Sequence, residues 1–90
     1  MNSFKKMTIH SKLLKASALA HKAGMLVTTI RFYTKIGLLE AAAFSPGGYN
    51  LYNEDDSLLR LKKIKFLKQK RRTLDEIKRT FAVEGKRKRT

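Results

Sequence analysis

The chain contains no cysteine, which removes disulfides, thiolate metal sites, iron–sulfur clusters and thiol redox sensing together. Acid is scarce: seven Asp and Glu stand against 21 Lys and Arg, leaving a net charge of +14 on 90 residues. The two histidines, His10 and His21, lie eleven positions apart without acidic neighbours, so neither a metal site nor any other cofactor is expected. No segment approaches the ~20 apolar residues of a membrane span. The first fifteen residues, with Lys5, Lys6, Lys12 and Lys15, lack the continuous apolar stretch of a signal peptide. A cytoplasmic location without a membrane partner is therefore expected. No nucleophile, base and orienting group recur at a recognisable spacing, so the chain is not expected to be an enzyme.

The surplus of positive charge favours a polyanionic partner but does not choose between DNA and RNA. Ninety residues support one small domain, burying only about 60% of the unfolded surface. We expect a flexible basic arm over 1–15, a folded domain over 16–82 and a basic tail over 83–90.

Within the domain, Ala16, Leu19, Ala20 and Ala23 have the i, i+3, i+4, i+7 spacing of a buried helical stripe. This predicts a first helix over about Ser17 to Ala23, ended by Gly24. A second helix is expected over about Thr28 to Ile36, with Val27 and Ile30 inward, Tyr33 open to either face and Gly37 as its stop. Leu38 and Leu39 are expected to lead into a short strand. The run Ser45-Pro46-Gly47-Gly48 supplies a hairpin tip. In the returning strand Asn50 and Tyr52 are expected to look outward.

Asn53 is a good N-cap, and Glu54, Asp55 and Asp56 suit the first turn of the helix it would open. Leu58, Leu61, Ile64 and Leu67 continue that helix, and from Arg60 through Arg72 there are eight basic residues and no acid. Thr73-Leu74-Asp75-Glu76 reads as a capping box for a last helix with Leu74, Ile77 and Phe81 on its apolar face. The expected fold is mainly α, with about four helices and a short β-hairpin: a winged helix-turn-helix.

The candidate DNA-binding residues follow from that arrangement. Thr28, Thr29 and Arg31 can reach base edges or phosphates from the second helix, Phe32 and Tyr33 can touch sugars and thymine methyl groups, and Lys35 is available outward. Asn50 and Tyr52 on the wing, Lys62 and Lys63 on the basic helix, and Arg71 and Arg72 in the last turn are candidates for the phosphate backbone.

From about Ala16 to Phe81 the chain resembles the DNA-binding domain of the MerR family of bacterial transcription regulators. The resemblance is carried by Thr29-Ile30-Arg31-Phe32-Tyr33, Gly37-Leu38-Leu39, Gly48-Tyr49-Asn50-Leu51-Tyr52 and Thr73-Leu74-Asp75-Glu76-Ile77-Lys78, in family order and spacing. It implies a protein that binds double-stranded promoter DNA as a dimer and activates by distorting an overlong spacer, with RNA polymerase at the promoter as a second partner. The chain departs from the pattern at Leu26 (usually a capping serine), Thr28 and Ala43 (usually basic), Thr34 (usually acidic), Asn50 (usually arginine) and Arg71 (commonly glycine).

The family's long coiled coil and effector domain have no counterpart in the nine residues after Phe81, which span only about 13 Å as helix. No small-molecule effector is expected, and the oligomeric state stays open, a monomer in solution included. Two further readings remain: an excisionase-like architectural DNA-binding factor, and a basic RNA-binding protein.

Overall fold

A computed structural model describes the backbone of residues 12–89 and the side chains of residues 12–83. Its elements are β1 (Leu13–Lys15), α1 (Ala16–Ala23), α2 (Val27–Lys35), β2 (Ala43–Phe44), β3 (Asn50–Asn53), α3 (Glu54–Gln69) and α4 (Leu74–Arg89). The expected class, mainly helical with four helices and a hairpin wing, is the one observed.

Helices α1 and α2 form the helix-turn-helix. Leu19 and Ala20 of α1 and Ile30 and Tyr33 of α2 are buried together, which is where apolar residues at helical spacing should converge. Three helices leave by the same device. Met25 N–H bonds Ala20 O at 2.9 Å, Leu38 N–H bonds Tyr33 O at 2.8 Å, and Arg72 N–H bonds Leu67 O at 3.2 Å. Each such closure puts its preceding residue in the left-handed region: Gly24 at φ 67°, Gly37 at φ 87° and Arg71 at φ 64°. Glycine accepts that geometry freely and arginine does not.

Two expectations about strands are corrected. The strand expected after Leu38 and Leu39 forms only at Ala43–Phe44; the turn at Gly37 sends the two leucines themselves into the core, where they are 0% and 2% exposed. The last residues of the expected arm are instead a strand. Leu13–Lys15 pairs antiparallel with β3, in the register Leu13↔Asn53, Leu14↔Tyr52 and Lys15↔Leu51. Strand β3 is thus central in a three-stranded sheet of order β1-β3-β2, and backbone pairing that would otherwise be open at the hairpin's edge is satisfied by the chain's own early segment. Residues 1–11 of the expected arm lie outside the described residues.

Asn53 opens α3 as expected, its side-chain oxygen accepting from Asp56 N–H at 2.8 Å. Leu61 and Ile64 of α3 and Ile77 and Phe81 of α4 complete the core. The capping box forms in both directions: Thr73 N–H donates to Glu76 Oε1 at 2.9 Å, and Glu76 N–H to Thr73 Oγ1 at 3.1 Å. Helix α4 runs past residue 82 to Arg89, through most of the expected basic tail. Lys and Arg are good helix formers, and positive charge is favoured at a helix C-terminus.

Candidate nucleic-acid interface

On α2, burial of Ile30 and Tyr33 turns the opposite face to solvent. Thr28, Arg31, Phe32 and Lys35 are exposed there, at positions i, i+3, i+4 and i+7, so they form one stripe along the helix. The helix sequence contains no acid. Thr29 lies at the margin, half-buried. Leu26 at the N-cap makes no side-chain bond to the helix start, so the first backbone N–H groups of α2 remain unpaired by a cap.

Two of the candidate residues are not on this surface. Tyr33 is only 3% exposed and packs in the core, its ring 6.2 Å from that of Phe32. Adjacent helical residues point about 100° apart, so one aromatic of the pair is taken inside and Phe32, 47% exposed, is left outside. Tyr52 is fully buried, which reverses the expected phase of the returning strand: Tyr52 faces inward and Tyr49 stands out at 61% exposure. A change of one position in a strand exchanges every side chain between faces.

The wing consequently carries residues that sequence reasoning missed. Phe44 is 72% exposed, and the Lys15 ammonium sits 5.1 Å from the centroid of the Tyr49 ring, a cation–π contact that pairs charge with the hairpin. The tip is closed by Ser45 N–H to Tyr49 O at 2.8 Å and Gly48 N–H to Ser45 O at 2.9 Å. A further bond runs from Tyr49 N–H to Ser45 Oγ at 3.0 Å. Asn50 is half-buried and pairs with Phe44 in the ladder.

The wing and α2 are joined by hydrogen bonds. Tyr52 OH lies 2.7 Å from Thr34 Oγ1, Thr34 Oγ1 donates to Ile30 O at 2.8 Å, and Asn50 Nδ2 donates to Tyr52 OH at 3.5 Å. At the exit of α2, a Cβ placed on Gly37 would lie 3.2 Å from Lys78 Cε, so the Lys78 side chain of α4 crosses that glycine closely.

The basic segment 60–72 does not make a single face. Lys62, Lys63, Arg71 and Arg72 are all exposed, but at about 100° per residue the cations of α3 distribute around it. Arg60 is drawn onto the Phe81 ring at 4.1 Å and Lys70 onto Phe66 at 5.3 Å. Lys62 and Lys65 border a cleft with Ala23 and Met25, whereas Lys63 borders another with Glu40 and Asp56. Elsewhere Lys22 is paired with Glu54 at 2.8 Å. Arg71 and Arg72 occupy the α3–α4 turn. Beside them the Glu76 carboxyl is held below its ordinary range, chiefly by the Thr73 backbone N–H, with the Arg72 and Arg79 charges adding to the effect.

Residues 14–83 match the family of MerR HTH family regulatory proteins. The chain belongs to the MerR family. Its solved MerR relatives include a transcriptional regulator from Bacillus cereus, at a TM-score of 0.70 and 31% identity over 79% of this chain and 52% of that one. Another is HiNmlR, a MerR-family regulator lacking the sensor domain and bound to promoter DNA, at 0.69 and 30%, covering 77% and 54%. A third is MtaN, the N-terminus of the Bacillus subtilis multidrug transporter activator, at 0.67 and 37%, covering 72% and 60%. The HTH-type transcriptional regulator YfmP of Bacillus subtilis (strain 168) is 44% identical over 43 residues, 48% of this chain and 31% of that protein. The chain thus spans about half the length of the first two structures and under a third of the curated relative. Its described residues form a MerR-type helix-turn-helix domain. Among the described residues no helix is long and apolar enough to cross a membrane.

Proposed function

We propose that this MerR domain reads a specific site in double-stranded DNA with the outward stripe of α2. Thr28, Arg31, Phe32 and Lys35 enter the major groove, with Thr29 at the margin. The hairpin over 45–52, with Lys15, Phe44, Tyr49 and Asn50, follows the adjoining backbone, and Lys62, Lys63, Arg71 and Arg72 contribute phosphate contacts. The carrying observation is the i, i+3, i+4, i+7 stripe itself: two hydrogen-bonding hydroxyl and guanidinium groups, one aromatic and one ammonium exposed on a helix whose other face is locked by Ile30 and Tyr33. Such a helix offers bidentate and apolar contacts to base edges while its neighbours hold it in register. The promoter-bound relative HiNmlR supports duplex DNA as the partner. On this reading RNA polymerase is met at the promoter, in the cytoplasm.

Selection from a random duplex pool tests this, at about 150 mM salt, where bare charge is screened within roughly 8 Å. Enrichment of one motif or of an inverted repeat is expected. Tandem direct repeats, together with bending, would indicate an architectural factor instead, and the absence of enrichment would send the search to RNA.

A further inference from the structure

We propose that the Tyr52 hydroxyl is a positioning group that sets the angle between the wing and helix α2, making Tyr52 and Thr34 positioning residues for DNA readout. The proposal rests on the DNA-binding reading above, but its first consequence is visible in the free protein.

The proton count gives the network a direction. Thr34 has one hydroxyl proton, and it is donated to Ile30 O at 2.8 Å. The 2.7 Å contact with Tyr52 therefore uses the tyrosine's proton and a lone pair on Thr34 Oγ1. The Tyr52 oxygen keeps its own lone pairs, and Asn50 Nδ2 approaches one of them at 3.5 Å. The chain runs from Asn50 through Tyr52 and Thr34 to a carbonyl of α2, each group donating once to the next. Back-bonding of a threonine to the i−4 carbonyl orients its side chain against its own helix, so Thr34 is a fixed acceptor and not a swinging one.

Tyr52 is well placed to act as a lever. Its ring is fully buried and apolar packing alone would hold it there, but packing is non-directional. The hydroxyl at the end of the ring adds direction. Tyr52 also lies in β3, the central strand, paired with both β1 and, through Leu51 and Asn50, with β2. Fixing the tilt of that ring fixes the strand on which the whole wing is built.

The variants are Tyr52→Phe, Thr34→Val and Thr34→Ser, with thermal unfolding recorded to establish that each is folded. The first readout is amide spectra and relaxation of the free protein. In Tyr52→Phe and Thr34→Val the hairpin amides of residues 43–50 shift and broaden, while those of α1 stay in place; Thr34→Ser restores the wild-type pattern. The second readout is affinity and hydroxyl-radical footprint on the duplex selected by the wild-type chain. Tyr52→Phe and Thr34→Val each lose about three- to tenfold in affinity, the footprint fades at the wing and persists over the α2 half, and the double variant loses no more than the worse single one. Unchanged hairpin amides in Tyr52→Phe would overturn the proposal, as would Thr34→Ser behaving like Thr34→Val or an unchanged footprint with additive losses. If the hairpin loosens but the wild-type chain selects no duplex, the positioning role stands and the DNA-binding reading fails.

Discussion

Helices α2 and α3 both bring positive charge to the surface, and they do so in opposite ways. On α2 the cations Arg31 and Lys35 share a stripe with Thr28 and Phe32. On α3 a larger number of cations is turned to all sides, two of the run between Arg60 and Lys70 being drawn onto aromatic rings. The charge count would rank α3 as the principal interface, whereas placement ranks α2. A sum of charges sets the attraction to a polyanion, but only side chains arrayed on one face can read it.

Substitutions can sharpen this contrast. The largest effect is expected from Arg31→Ala, which should cost about 1–3 kcal/mol on the selected duplex and alter base preference at one position. Lys65→Ala on α3 should leave preference intact and change the salt slope by about one unit at most. Competition binding against single-base variants of the site measures both, and equal effects would erase the distinction between the helices.

The comparison extends to how the helices end. Gly24 and Gly37 have similar left-handed backbones, but a Cβ on Gly24 meets nothing within 4 Å while one on Gly37 meets Lys78. Both alanine substitutions carry about 1–2 kcal/mol from the backbone alone; Gly37→Ala should exceed Gly24→Ala in denaturant unfolding, because Lys78 must also move.

At the end of α3 the sign reverses. Arg71→Gly should raise stability by about 0.5–1 kcal/mol, by relieving a left-handed arginine. The same change should flatten the salt slope of duplex binding by about one unit if Arg71 touches phosphate. A gain in stability with no change in slope would mean that the strained residue does not touch DNA.

The smallest effect is electrostatic. Glu76 is held below its ordinary 4.5 in the folded chain, so its contribution is complete above that ordinary value and disappears as pH falls through the lowered one. A pH series of thermal unfolding should show part of the acid loss below 4.5 removed by Glu76→Gln.

Most of the helical frame was legible, because its signals are local. Asn53, the Thr73–Glu76 box and the stops at Gly24 and Gly37 each act within a few residues, and α1 and α2 begin and end within one residue of expectation. The wing was not legible to the same degree. Tyr49 and Tyr52 are three apart, so they cannot share a face of one strand, and nothing local says which enters the core; burial of the Tyr52 ring in the common core decides it. Strand β1 was missed because its partner lies forty positions away. On α2, Thr28, Arg31, Phe32 and Lys35 are exposed as expected and Thr29 only partly so; Tyr33, open to either face in the sequence and named as a DNA candidate, is buried, as its spacing from Ile30 requires.

The distant partner of β1 also bears on the order in which the molecule assembles. The helix-turn-helix is made by neighbours in the chain and can collapse early, whereas β3 acquires its second flank only when Leu13–Lys15 finds residues 51–53, a late event for contacts so far apart. Helix α2 would therefore be packed against α1 before the sheet is closed, and the segment that closes it is made before the strand it must find.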